Sequence, residues 1–180
     1  MCATTTTPTT RKVGWGRADI YVKDLDAATL EWLKVPTPVE NTTKLAPSKG
    51  EKLEAKIEGG DNEDVLYKAN NYDLSYQIRK TSGKDMPIKH SDGVVDHRYA
   101  VVVVPQNRLA PGPYVPQSSV SVEDAFDTKE GGTDLFTHSA VKPSDDGKKV
   151  RWGTYEVTDT NGKITIKASG GDFGTTPVAL

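Results

Sequence analysis

The stretch Leu53-Glu54-Ala55-Lys56-Ile57-Glu58, the turn Gly59-Gly60-Asp61-Asn62-Glu63-Asp64, and the run Val65 to Lys80 together read as two β-strands around a polar connection. Leu53, Ala55 and Ile57 share one face and Glu54, Lys56 and Glu58 the other, because side chains alternate at period two along a strand. In the second strand Tyr72, Leu74, Tyr76 and Ile78 alternate with Asp73, Ser75, Gln77 and Arg79. Unbroken, Val65 to Lys80 would extend roughly 50 Å, well past a usual strand. The apolar parity slips at Asn70-Asn71, from Val65, Tyr67 and Ala69 to Tyr72, Leu74, Tyr76 and Ile78. A bulge or bend there divides the run into a core strand and an assembly arm. Its edges and tip need cover, and a second copy of the chain is an economical one.

Working outward, aromatic and β-branched residues in Val13 to Val22 predict a first strand, with Gly14 and Gly16 beside Trp15 suiting a bulge. Asp24 or Asp26 is placed to cap a brief helix through Ala27, Ala28, Leu30 and Trp32, stopped by Pro36 and Pro38. Val35 to Gly50 reads as a long loop, functional or interfacial. Asp92-Gly93 suits a tight turn into Val94 to Val104, whose apolar end, Tyr99 to Val104, marks a central strand covered on both faces. Pro105, Pro111, Pro113 and Pro116 predict an extended loop. Val120 to Phe126 fits either a strand or, through Ser121 and Asp124, a capping box. Leu135 to Val141 is extended, Asp145-Asp146-Gly147 turns the chain, and Asn161-Gly162 joins Lys148–Val157 to Lys163–Ala168 as a hairpin.

Seven or eight strands with little helix predict an all-β fold, a β-sandwich or partly closed barrel with a protruding hairpin. The expected organisation is a flexible Thr-rich arm over 1–12, one domain over 13–168 that contains the loop and hairpin 35–80, and a C-terminal arm over 169–180.

The chain has 180 residues, 35% of them hydrophobic, with 23 Lys and Arg against 25 Asp and Glu. The core is modest, and a net charge of −2 with interspersed signs offers no block for phosphate backbones. Cys2 is the one cysteine, which excludes an internal disulfide and a cysteine metal cluster. No run approaches the roughly 18 apolar residues of a membrane helix, and no hydrophobic signal core precedes Cys2. Folding in a reducing cytoplasm, away from membranes, is the expectation.

Chemistry is sparse. His90, His97 and His138 fit no zinc spacing; His90, His97 and Asp96 are the nearest approach to a metal set, across the Asp92-Gly93 turn. Asp61, Glu63 and Asp64 lack the spacing, central glycine and closing glutamate of a calcium loop. Asp145-Asp146 reads as a turn, and neither a nucleophile elbow nor a phosphate-binding glycine loop occurs. The expectation is a protein that is not an enzyme, with no catalytic residue, cofactor or metal. Trp15, Trp32 and Trp152 offer an alternative, a sugar-stacking surface on an adhesive module, although tryptophans more often pack. A hydrolase assembled from separate loops is the third reading.

Three segments carry a family resemblance: Gly14-Trp15-Gly16-Arg17-Ala18-Asp19-Ile20-Tyr21-Val22; Glu31-Trp32-Leu33-Lys34-Val35-Pro36-Thr37-Pro38-Val39; and Lys49-Gly50-Glu51-Lys52-Leu53-Glu54-Ala55-Lys56-Ile57-Glu58-Gly59-Gly60. With Lys142 to Thr154, they make the chain resemble the major tail tube proteins of tailed bacteriophages of the Bacteroides type. The resemblance implies a virion structural protein, assembled in the host cytoplasm, whose hexameric rings stack into a tail tube. Its partners would be other copies of itself, a tape-measure protein, and tail terminator and initiator proteins. DNA would pass through the lumen without specific binding, and no membrane would be involved. Contacts between subunits are expected from the turn residues Gly59, Gly60, Asp61, Asn62, Glu63 and Asp64 and from Thr37, Asn41 and Thr42 in the long loop.

Overall fold

A computed structural model describes residues 16–83, 85–129, 131–145 and 147–180. The Thr-rich segment, Cys2, Val13, Gly14, Trp15, Lys84 and Asp146 lie outside the described residues, and so do the readings placed on them. The chain is all-β, in twelve strands: β1 (Ala18–Asp24), β2 (Trp32–Lys34), β3 (Lys44–Ser48), β4 (Lys52–Lys56), β5 (Asn62–Tyr67), β6 (Asn71–Arg79), β7 (Val94–Pro105), β8 (Gly112–Asp127), β9 (Gly131–Ala140), β10 (Arg151–Thr160), β11 (Lys163–Ser169) and β12 (Val178–Ala179). A ten-stranded sheet runs β10-β11-β2-β1-β7-β8-β9-β6-β3, with β12 on β11. Pairing of Gly112–Tyr114 with Arg151–Gly153 closes β10, β11, β2, β1, β7 and β8 into a ring. The remaining strands, β9, β6 and β3, continue from the far half of β8 and pack over the outside of that ring.

This arrangement gives two cores that share β1 and β7. Tyr21, Ala100, Val102 and Val104 face the ring interior with Trp32, Tyr114, Tyr155 and Ile166. Their neighbours Ile20, Val22, Tyr99, Val101 and Val103 face the opposite side and meet Leu74, Tyr76, Ile78 and Phe136. A strand buried on both faces carries apolar residues at consecutive positions, which is why Tyr99 to Val104 has no polar alternation. Each large side chain fully buried here contributes about 1.5–3 kcal/mol. Tyr76 stacks on Phe136 with ring centroids 5.4 Å apart, in the favourable aromatic range.

Prolines decide where β8 changes neighbours. Tyr99 pairs with Ser118 and Val101 with Val115, so two steps on β7 oppose three on β8, a bulge that spans Pro116. Proline donates no ladder hydrogen bond and is tolerated at such a break. The bulge also flips parity: Val115 and then Val120 and Val122 all reach the same core. The Pro105 to Pro116 region is therefore strand from Gly112 onward rather than a loop, and Val120 to Phe126 is strand with no helical cap.

Three further expectations change. The brief helix after Asp24 is absent: Asp24 Oδ1 accepts the Asp26 N–H at 2.9 Å in a local turn, and Trp32 enters β2 opposite Ile164. The long loop from Val35 contains β3, which pairs with β6 from Lys44–Ser75 to Ser48–Asn71. Residues 169–180 fold back onto the body. Phe173 packs against Tyr114 and Tyr155, and the Trp32 indole N–H donates to the Leu180 carbonyl at 3.0 Å. By contrast the Asn161-Gly162 turn forms as read, with φ of 53° and 83° and Thr160 opposite Lys163.

Candidate self-assembly interface

The feature that stands apart from the body is the β4–β5 hairpin. It is a separate two-stranded sheet, and every residue from Glu51 to Asn70 is exposed. The break anticipated at Asn70-Asn71 is real: β5 ends at Tyr67 and β6 starts at Asn71. The root is fixed tightly. Gly50 N–H donates to Asn70 Oδ1, Lys68 N–H donates to the Glu51 carbonyl at 2.9 Å, and Lys68 pairs with Glu51. A Cβ on Gly50 would lie 2.0 Å from the Lys68 carbonyl oxygen, so the two chains cross too closely for any larger residue. Lys149 clamps the same root from the body through the Asn70 carbonyl and Asn71 Oδ1.

Along the hairpin, Leu53 lies opposite Leu66 and Glu54 opposite Val65, with an irregularity between Ala55 and Lys56. Leu53, Ala55 and Leu66 thus share one face, while Val65 and Tyr67 share the other with Lys52 and Glu54. Leu66 is 61% exposed and Tyr67 62%. The tip is tighter than the sequence suggested. Gly59 and Gly60 turn the chain with φ of 108° and 91°, whereas Asn62, Glu63 and Asp64, expected in the turn, belong to β5. Asp64 Oδ1 accepts its neighbour's Val65 N–H; no ion pair reaches Glu58, Asp61 or Glu63 among the described residues.

The other expected contacts lie on a different surface. The Thr42 hydroxyl donates to the Val39 carbonyl at 2.7 Å and accepts the Gln77 N–H at 3.2 Å, which commits it to holding the loop on β6. Thr37 and Asn41 are exposed, and both line a cleft of about 870 Å³ with Arg17, Leu45, Pro105 and Trp152. The structure does not bring the 37–42 loop and the hairpin tip into one site.

The tryptophans separate in role. Trp32 is core, whereas Trp152 is 44% exposed at the cleft. The histidines separate as well. His97 Nδ1 meets Asp24 at 2.7 Å, and His90 lies on the other side of β7, 3.9 Å from Asp124. The pairing of His90 with His97 and Asp96 is therefore not formed.

A different set converges instead: His90, Asp124 and Asp134 hold ligand atoms within 4.8 Å of one another. The Lys80 ammonium already bridges the two carboxylates, at 2.7 Å from Asp124 and 2.9 Å from Asp134, and so supplies the cation that this facing carboxylate pair requires. Burial raises the Asp134 carboxyl, and the Lys80 ammonium lowers that of Asp124.

His138 is fully buried, and burial pushes its pKa down to about 3. Ser118 Oγ donates to the Tyr99 carbonyl at 2.8 Å and so accepts from His138 Nδ1–H; Nε2 then accepts from the Tyr76 hydroxyl at 3.0 Å. Every polar atom of this trio is used, which makes it a structural pin in the core.

One cluster left no signal in the sequence. Asp19 accepts ion pairs from Arg17 at 3.3 Å, Lys34 at 3.1 Å and Arg108 at 3.2 Å, from three separate segments. Burial works to raise the Asp19 carboxyl, but Lys34 and Arg17 outweigh it and hold it below the usual carboxylate range.

Among the described residues no helix is long and apolar enough to cross a membrane. The fold defines an all-β sandwich built on a ring-closed sheet. No protein-family model matches the chain, and no curated protein matches it either.

Proposed function

We propose that this chain is a structural subunit that assembles with copies of itself, as the major tail tube protein of a tailed bacteriophage, in stacked hexameric rings around a DNA-conducting lumen. The observation that carries the reading is the β4–β5 hairpin, anchored rigidly at Gly50 and Asn70 yet exposed along its whole length. A lone two-stranded hairpin is at best marginally stable in water, so one that bears Leu53, Ile57, Leu66 and Tyr67 gains by being covered. Ring formation and stacking supply that cover and satisfy open sheet edges. The sequence resemblance supplies the identity of the assembly, with tape-measure, terminator and initiator proteins as partners, assembly in the host cytoplasm, and the virion tail as destination. Such a subunit needs neither catalysis nor a cofactor. Electron microscopy of purified protein, with mass measurement, should show rings or tubes; a strict monomer at high concentration, even with phage initiator proteins present, overturns the reading.

A second reading, a carbohydrate-binding module, draws on Trp152 at a cleft that also presents Asn41, Glu40 and Arg17. Stacking on an exposed tryptophan beside polar groups is the chemistry of sugar recognition. Glycan-array binding that disappears in Trp152→Ala would favour it over the tube.

A further inference from the structure

The hairpin tip and the Asp19 cluster have opposite charge. Glu58, Asp61, Glu63 and Asp64 fall within seven residues that contain no Lys or Arg, and none of the four makes an ion pair among the described residues. Arg17, Lys34 and Arg108 share the one Asp19 carboxylate, leaving an excess of two positive charges within that cluster. Three cations held around a single acid repel one another unless a further anion joins them.

We propose that the acidic tip of the hairpin docks on the Arg17–Lys34–Arg108 cluster of a second copy of the chain. This rests on the self-assembly reading and names the contact within it. The apolar groups match in order as well as the charges. Behind the tip come Ile57 and Leu66, exposed; beside the cluster come the exposed Leu109 and the cleft that Arg17 borders with Pro38, Leu45 and Pro105. From its root at Gly50 to its tip at Gly60 the hairpin spans roughly 25–30 Å, a length that reaches a neighbour. The rigid root matters, since an arm already held in place loses little entropy on docking. Tip and cluster are different surfaces of one chain, so the contact is head-to-tail, which closes into a ring or continues as a filament according to its rotation.

The experiment is a charge swap on the full chain. Asp61→Lys with Glu63→Lys should weaken self-association by about tenfold or more, and Arg17→Glu with Arg108→Glu should do the same, as like charges then meet. Combining all four should restore association toward the wild-type level, measured by sedimentation and light scattering. Wild-type association should also weaken as salt rises from 50 to about 500 mM, because salt screens exposed charges. Thermal unfolding of each variant checks folding, and the milder Arg17→Gln with Arg108→Gln serves if the reversed cluster unfolds. Assembly that ignores both reversals, or a combined variant as weak as its parents, overturns the docking and leaves the tube reading standing. A wild-type chain that never associates overturns both.

Discussion

Leu66 and Leu74 lie eight positions apart, on either side of the break at Asn70-Asn71, and Leu66 is 61% exposed whereas Leu74 is 1% exposed. The difference between β5 and β6 lies in what surrounds them. Strand β6 sits between β9 and β3 and lays Leu74, Tyr76 and Ile78 on the β1–β7 layer, whereas β5 has only β4. Alternation specifies a strand with an apolar face; the tertiary fold alone says what covers that face. Where the chain itself supplies no cover, the face is available to another molecule.

Substitutions on the two sides of Asn70 should therefore diverge. In the body, Phe136→Ala removes the ring stacked on Tyr76 and should lower stability by about 3–5 kcal/mol, read from the urea midpoint. A loss below about 1 kcal/mol would break the contrast, since the core would then be as loosely covered as the arm.

The next effect concerns pH. With His138 held at about 3 in the fold and near 6.5 when unfolded, the unfolded chain binds the extra proton between those values. Stability is thus full above pH 6.5 and falls on acidification through that window, by at most about 1.4 kcal/mol per pH unit from this residue. NMR of the imidazole at pH 5 should show a neutral ring with the proton on Nδ1, and a ring titrating near 6.5 would refute the pin.

The smallest effect on stability belongs to the arm. Leu53→Ser with Leu66→Ser should leave the unfolding midpoint within about 0.5 kcal/mol of wild type, as for other surface changes, while reducing assembly. Deletion of Gly59 to Asp64 should behave in the same way, with the fold kept and rings or tubes impaired on electron micrographs. A large loss of monomer stability in either variant would mean that the hairpin belongs to the body after all.

Legibility in the sequence followed the range of the interactions. The Asn161-Gly162 turn, the doubly buried Tyr99 to Val104 run and the slip at Asn70-Asn71 are set by local chemistry, and each could be read directly. The helix expected after Asp24 does not form because the segment is tied across to β7: the Leu25 N–H donates to the Arg98 carbonyl, Asp26 accepts the Arg98 N–H, and Asp24 holds His97, 73 positions away. The hairpin tip was visible as a glycine-bearing polar turn. The Asp19 cluster was not, since Arg17, Lys34 and Arg108 meet only once β1, β2 and the connection after β7 are in place. Pro116 was illegible as a strand residue for a related reason, because it is tolerated there only where the long-range pairing of β7 with β8 makes a bulge that spares the missing N–H.

By itself the sequence determined that this is an all-β chain with an alternating arm set off at Asn70-Asn71, because period-two patterning, turn residues and parity are local properties of the chain. The tertiary structure decided the ring closure between β8 and β10, the two cores on either side of β7, and the isolation of the hairpin. Those depend on which distant strands meet, and pairing energy is gained only after long loops have closed, so no single window of residues encodes it.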